Sequence, residues 1–134
     1  MIQNLANKPE RYWYARALSF TYAFAGIVRF FRTEPNARIH LLATLGVIAL
    51  SFIYSITAIE AIMLLLTIGS VWAAEIFNTC IEKTMDFIST ETHPQIRCIK
   101  DMSAGAVLVA AITAAVIGSI IFIPKIIDSK LFQP

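Results

Sequence analysis

The stretch Glu75-Ile-Phe-Asn78-Thr-Cys-Ile-Glu82-Lys-Thr-Met-Asp86 puts three carboxylates and a carboxamide into a segment otherwise apolar enough to cross a membrane. At about 100° per residue, Glu75, Asn78, Glu82 and Asp86 fall within a sector of roughly 80° on one helix face. Each ionised group near a bilayer centre costs at least ~2.5–3.5 kcal/mol on insertion scales, so an intramembrane ionisable residue points to function. A row of them calls for a compensating partner, most simply a metal ion or a charged ligand.

The composition around this stretch supports a membrane setting. The 134 residues are 57% hydrophobic and 15% charged, against an apolar share of about 45–50% in soluble domains. The length suits a single domain whose interior is helices in lipid. A net charge of +2 is too small to suggest nucleic acid, but Lys8, Arg11, Arg16, Arg29, Arg32 and Arg38 all precede the first long apolar run. The N-terminus carries no short apolar segment with a small-residue cleavage site, so no signal peptide is expected. Cys80 and Cys98 lack metal-ligand spacing and read as free thiols.

Residues 1–10 are polar and read as a frayed start. Residues 11–32 mix Tyr12, Trp13, Phe20, Phe24 and Phe30 with four arginines, which predicts an amphipathic helix lying at the membrane interface. The alternative is a short span, but the arginines are spread along it. Thr33-Glu34-Pro35-Asn36 is a break, and a new helix is expected near Pro35. Membrane-spanning helices are expected at about 39–59, 61–88 and 102–123, with a connection near Ser55–Glu60, a polar loop over 89–101 and Pro124 closing the last helix. The last span is rich in Ala and Gly, which favours close helix packing. The reading is an all-α integral membrane protein with one surface helix and three spans. The N-terminal arginines and the loop with Arg97 and Lys100 orient it with both on the cytoplasmic side, a larger set than the opposing Lys125 and Lys130. Three spans make a thin bundle, so neighbouring subunits are expected to complete the surroundings of the polar stripe.

With Ala61 at the outer boundary, Glu75 lies ~21 Å in and ~9 Å beneath the inner boundary of a ~30 Å core. Glu82 and Asp86 reach the water line, so the stripe climbs from lipid to solvent. Glu34 is expected at the same level and could share a Mg²⁺ with Glu82, since that ion prefers oxygen ligands and keeps waters or phosphate oxygens in its shell. Asn78 could add a neutral oxygen or hydrogen-bond the same group. Lys100, Arg32 and Arg38 could clamp phosphate oxygens. Carboxylates, a basic rim and interfacial depth fit phosphoryl transfer. No GxxxxGK[ST] or kinase-type Gly-rich loop is present. Plainer readings stand beside these. Asn78 could only join helices. Asp86 could be a solvated helix end or pair with Lys83 or Arg97. Glu60 reads as an interface residue, His40 and His93 as structural or surface residues, and Asp101 as an N-terminal helix charge matched to the dipole.

The run Glu75-x-x-Asn78-Thr79-x-x-Glu82-x-x-x-Asp86, followed by Lys100-Asp101-Met102-x-x-x-Ala106-Val107-Leu108, resembles the prokaryotic diacylglycerol kinase family, small trimeric membrane lipid kinases that include the undecaprenol kinases. The resemblance spans roughly Ser19 to Ile123. The segment Phe31-Arg-Thr-Glu34-Pro-Asn-Ala-Arg38-Ile-His-Leu41 is more similar to the undecaprenol kinase branch. The resemblance implies a homotrimer in the bacterial inner membrane, with composite active sites between subunits at the cytoplasmic face. It implies that Glu75 is the general base toward the lipid hydroxyl and that Glu34 and Glu82 hold the Mg²⁺ of ATP. It puts Asn78 near the base and phosphate, Lys100 on the ATP phosphates, and Asp86 and Asp101 in support of the nucleotide site. Arg16 and Arg38 would make further nucleotide or lipid contacts. The expected activity is ATP-dependent phosphorylation of undecaprenol or, second, diacylglycerol. The alternatives are a small oligomeric transporter or channel subunit whose stripe lines an ion path, and a structural membrane adaptor.

Overall fold

In the computed structural model, three of the four helices begin on a proline. The structure describes residues 9–91 and 93–131. Its helices are α1 (Pro9–Thr33), α2 (Pro35–Ile53), α3 (Ala58–Ile88) and α4 (Pro94–Leu131). Proline is tolerated at the first helical position because its missing N–H would find no partner there and its φ is already helical. The chain forms two compact units, one up to Pro35 and one from Asn36 onward.

The first unit is α1, whose bounds match the predicted surface helix to within two residues. Tyr14, Phe20, Tyr22 and Phe24 are exposed along it, as are Arg16, Arg29 and Arg32. Its end is marked by the Glu34 N–H, which donates to the Phe30 carbonyl, and by Thr33 Oγ1, which donates to Glu34 Oε1 at 2.9 Å.

The second unit holds three helices long and apolar enough to cross a membrane. The first of them ends earlier than the predicted 39–59. Ser55 takes a φ of 46°, in the left-handed region, and turns the chain out of α2 after Ile53. Thr57 then caps α3. Its side chain accepts from the Glu60 N–H while the Thr57 N–H donates to Glu60 Oε2 at 2.7 Å, a reciprocal capping box. Glu60 is therefore more than an interface residue, because its Oε1 also meets Lys125 Nζ of α4 at 3.2 Å.

Helix α4 differs most from expectation. It starts at Pro94 rather than near 102 and passes through Pro124 instead of closing there. A proline inside a helix removes one hydrogen bond and crowds the preceding turn. Here the flanking turns are anchored. Ile121 and Phe122 form a buried cluster with Leu64, Ile117 and Ile126 pack against it, and Lys125 holds Glu60. Val47, Leu50, Tyr54 and Ile56 complete this cluster, and the Tyr54 and Phe122 rings lie 6.5 Å apart. Away from it the large apolar side chains face outward, Phe52, Phe77 and Phe87 among them. Such a surface suits lipid and neighbouring protein, not water.

Thr57→Ala should lower stability by about 1 kcal/mol, the usual worth of an N-cap. The midpoint of unfolding by SDS in bicelles measures this, and an unshifted midpoint would mean the cap contributes nothing.

Candidate active site

Hydrocarbon supplies no hydrogen-bond partners, so polar side chains on neighbouring spans must satisfy one another. Helices α3 and α4 make the main helix–helix contact of the chain, and the stripe on α3 meets α4 at two levels. At the deeper level Ser103 Oγ donates to Asn78 Oδ1 at 2.7 Å and also lies 2.9 Å from the Lys100 carbonyl oxygen. The Asn78 Nδ2 in turn donates to Glu82 Oε1 at 3.3 Å. Nearer the α3–α4 turn, Lys100 Nζ donates to Asp86 Oδ1 at 3.0 Å.

The expected gradient along the stripe is present. Glu75, Asn78 and Thr79 are buried, Glu82 is half-buried and Asp86 is exposed. Glu75 is only 2% exposed, yet its carboxyl group makes no hydrogen bond or ion pair with another described residue. Glu82 lies about 10 Å further along the helix.

Several sequence readings are sharpened or corrected by these contacts. The Asn78 oxygen accepts from Ser103, and its amide nitrogen hydrogen-bonds Glu82. Asp86 pairs with Lys100 across the turn rather than with Lys83 or Arg97. Asp101 is not at a helix N-terminus. Because α4 begins at Pro94, Asp101 sits in its third turn, where it faces Arg97 at 3.7 Å with both side chains exposed. His93, which is exposed, accepts from the Gln95 N–H at the start of α4, and His40 packs edge-on against Trp72. Arg38 is exposed in the first turn of α2. Glu34 and Arg16 belong to the first unit, where Glu34 is half-buried and Arg16 is exposed.

Around the α3–α4 turn lies a polar cleft of about 580 Å³, lined by Asp86, His93, Arg97, Lys100 and Asp101 among others. That volume is in the range of small-molecule sites, ~300–1,000 Å³. Glu82 commits one oxygen to Asn78, and its Oε2 has no hydrogen bond among the described residues. No group of three or more His, Cys, Asp or Glu capable of holding a metal occurs among the described residues. A half-buried carboxylate oxygen without a hydrogen bond fits Mg²⁺, which normally fills its shell with waters and phosphate oxygens.

Ser103 is the member of this cluster that the motifs leave blank. A hydroxyl in an apolar helix, one turn from Lys100, is a signal only once α4 is known to face Asn78.

A buried carboxylate, a polar ladder and a charged cleft at one end of three apolar helices define an integral membrane protein with a polar site on its membrane-embedded helices. The comparisons give the class a family. The chain matches the model described as prokaryotic diacylglycerol kinase over residues 21–122. It is 39% identical over 108 residues to an undecaprenol kinase of Bacillus subtilis, covering 81% of this chain and 88% of that relative. It is 35% identical over 112 residues to a diacylglycerol kinase of Synechocystis sp., covering 83% of this chain and 64% of the relative's length. With a diacylglycerol kinase of Escherichia coli it shares 30% over 95 residues, 71% of this chain and 78% of the other. The chain belongs to the prokaryotic diacylglycerol kinase family, and so to the membrane lipid kinases, phosphotransferases acting on an alcohol group. Neither the fold nor these relatives favour the ion-path reading.

The Lys100 and Asp86 side chains are 35% and 65% exposed, so their pairing is worth little to stability. A double-mutant cycle through Lys100→Met and Asp86→Asn should give a coupling of at most about 1 kcal/mol. A much larger coupling would show that the pair is shielded from water.

Proposed function

We propose that this kinase transfers the ATP γ-phosphate to undecaprenol, with diacylglycerol as the second candidate. The observation that carries the reading is Glu75, a carboxylate buried in an apolar span and left without a partner among the described residues. With no partner of its own among those residues, the carboxyl group is open to a substrate hydroxyl, which is the geometry a general base needs. The lipid choice rests on the higher identity to the relative named undecaprenol kinase, 39%, against 35% and 30% for those named diacylglycerol kinase.

In the proposed reaction Glu75 takes the hydroxyl proton as the lipid oxygen attacks the γ-phosphorus. The bond from that phosphorus to the bridging oxygen breaks, leaving ADP and a lipid phosphate, and Glu75 later releases its proton to water. Mg²⁺ held by Glu82 and Glu34 would neutralise charge on the phosphates; Glu34 is proposed on the family resemblance. Lys100 would exchange Asp86 for a phosphate oxygen, a small change for an exposed pair. Asn78 holds Glu82 in place. Asp86 and Asp101, with Arg16 and Arg38, are proposed as supporting contacts to nucleotide or lipid. The same reading takes the protein as a homotrimer in the bacterial inner membrane with its N-terminus cytoplasmic. The large exposed apolar surface supports a membrane and subunit setting, and the N-terminal arginines support the orientation.

Glu75→Gln should reduce lipid-dependent kcat by at least about 100-fold, the lower range for a general base, with KM for MgATP changed less than about threefold. Unchanged turnover would remove Glu75 from the base role. Purified protein given ATP, Mg²⁺ and equal amounts of undecaprenol and diacylglycerol should yield mainly undecaprenyl phosphate, and a product mainly of phosphatidic acid would reverse the lipid assignment.

A further inference from the structure

The Asn78 carboxamide is planar, and turning it over exchanges an acceptor for two donors. Which way it faces decides whether Glu82 meets an N–H or an oxygen. In the observed orientation Nδ2 faces Glu82 Oε1 at 3.3 Å and Oδ1 faces the Ser103 hydroxyl at 2.7 Å. Asn78 is 6% exposed and Ser103 9%, so water contributes little to either choice. The backbone carbonyl of Lys100, 2.9 Å from Ser103 Oγ, is an alternative acceptor for the same proton.

We infer that Ser103 is a positioning residue for the nucleotide end of the site. Its hydroxyl donates to Asn78 Oδ1 and so supports the amide orientation that Glu82 also favours, and through Asn78 it helps to set the direction of the carboxylate proposed for the metal. With alanine at 103, Asn78 Oδ1 loses its donor in a buried place. The amide is then held by Glu82 alone, at 3.3 Å, and its orientation is less firmly fixed. Ser103 also ties the Lys100 turn of α4 to this choice, because its second acceptor is the Lys100 backbone. None of this involves Glu75. The loss should therefore appear in nucleotide affinity and not in the chemical step.

The inference rests on the kinase reading for its kinetic readout, so a second readout stands apart from activity. In asparagine-labelled protein in nanodiscs, the Asn78 side-chain N–H pair, assigned with Asn78→Asp, should be protected from solvent exchange in the native chain. Ser103→Ala should speed that exchange at least about tenfold and raise KM for MgATP about tenfold, as expected when a buried polar atom loses its hydrogen bond. Its kcat should stay within about threefold, because the Glu75 chemistry is untouched. Ser103→Thr, which keeps a hydroxyl, should restore both values to within about threefold. Unchanged exchange and KM in Ser103→Ala would overturn the inference. So would a fall in kcat alone, or a Ser103→Thr protein as impaired as the alanine variant. If the native chain turns over no ATP with either lipid, the kinase reading fails, and the amide exchange decides the Ser103 question by itself.

Discussion

Helices α3 and α4 run antiparallel and are fastened by charge at both ends, and the rest of the second unit is arranged around that pairing. Glu60 meets Lys125 at one end and Asp86 meets Lys100 at the other. The two pairs are about 38 Å apart on either helix at 1.5 Å per residue, longer than a hydrocarbon core of ~30 Å. Each pair can therefore reach an interface while the residues between them stay in lipid. A slip of one helix by a turn, about 5.4 Å, would part both pairs. The observed register is the one that keeps them together. Within it, Asn78 falls opposite Ser103 and Leu64 opposite Ile121.

The two halves of this pairing hold by different means. Near the α2–α3 turn the contact is apolar, with Tyr54 and Ile56 folded over Leu64 and Phe122. That cluster and the Glu60–Lys125 pair flank Pro124, which lies inside α4. Near the α3–α4 turn there is no comparable apolar cluster among the described residues, and the helices meet through side-chain hydrogen bonds. Interhelical hydrogen bonds in membranes average well under ~1 kcal/mol, because the separated helices also find partners. This end is thus the weaker one and the better suited to exchanging partners when a ligand arrives.

Much of this was legible from residue spacing. The stripe from Glu75 to Asp86 needs only helical periodicity, and its gradient from buried to exposed follows from where the apolar run ends. Pro35 announced a helix start because proline has a fixed place there. The misses share a cause: hydropathy finds the segment that suits lipid, and a helix need not stop where lipid does. Residues 94–101 are polar, so α4 looked as if it began near 102, although Pro94 carries the same start signal as Pro35. Pro124 read as a terminator because its cost is local while the contacts that offset it come from Leu64 and Glu60, far away in the chain. Asp86 and Lys100 are fourteen residues apart, and only the depth of the α3–α4 turn makes them neighbours. Ser103 was invisible for the same reason.

The polar ladder also explains why Glu75 is left alone. Asn78, one turn away, is the obvious partner for a buried carboxylate. Its amide nitrogen is already given to Glu82 and its oxygen faces away toward Ser103. Had Asn78 turned its amino group to Glu75, that carboxyl group would have a hydrogen-bond donor of its own. By directing Asn78 toward the water line, Ser103 gives the donor to the carboxylate proposed for the metal and withholds it from the one proposed as base. With the helices upright and the 38 Å centred on the bilayer, Glu75 lies about 12 Å beneath the nearer hydrocarbon boundary. At that depth hydrocarbon rather than bulk water surrounds the helix, so on the proposed reading the stability given up by leaving one carboxylate unpaired is coupled to the lipid hydroxyl that would meet it.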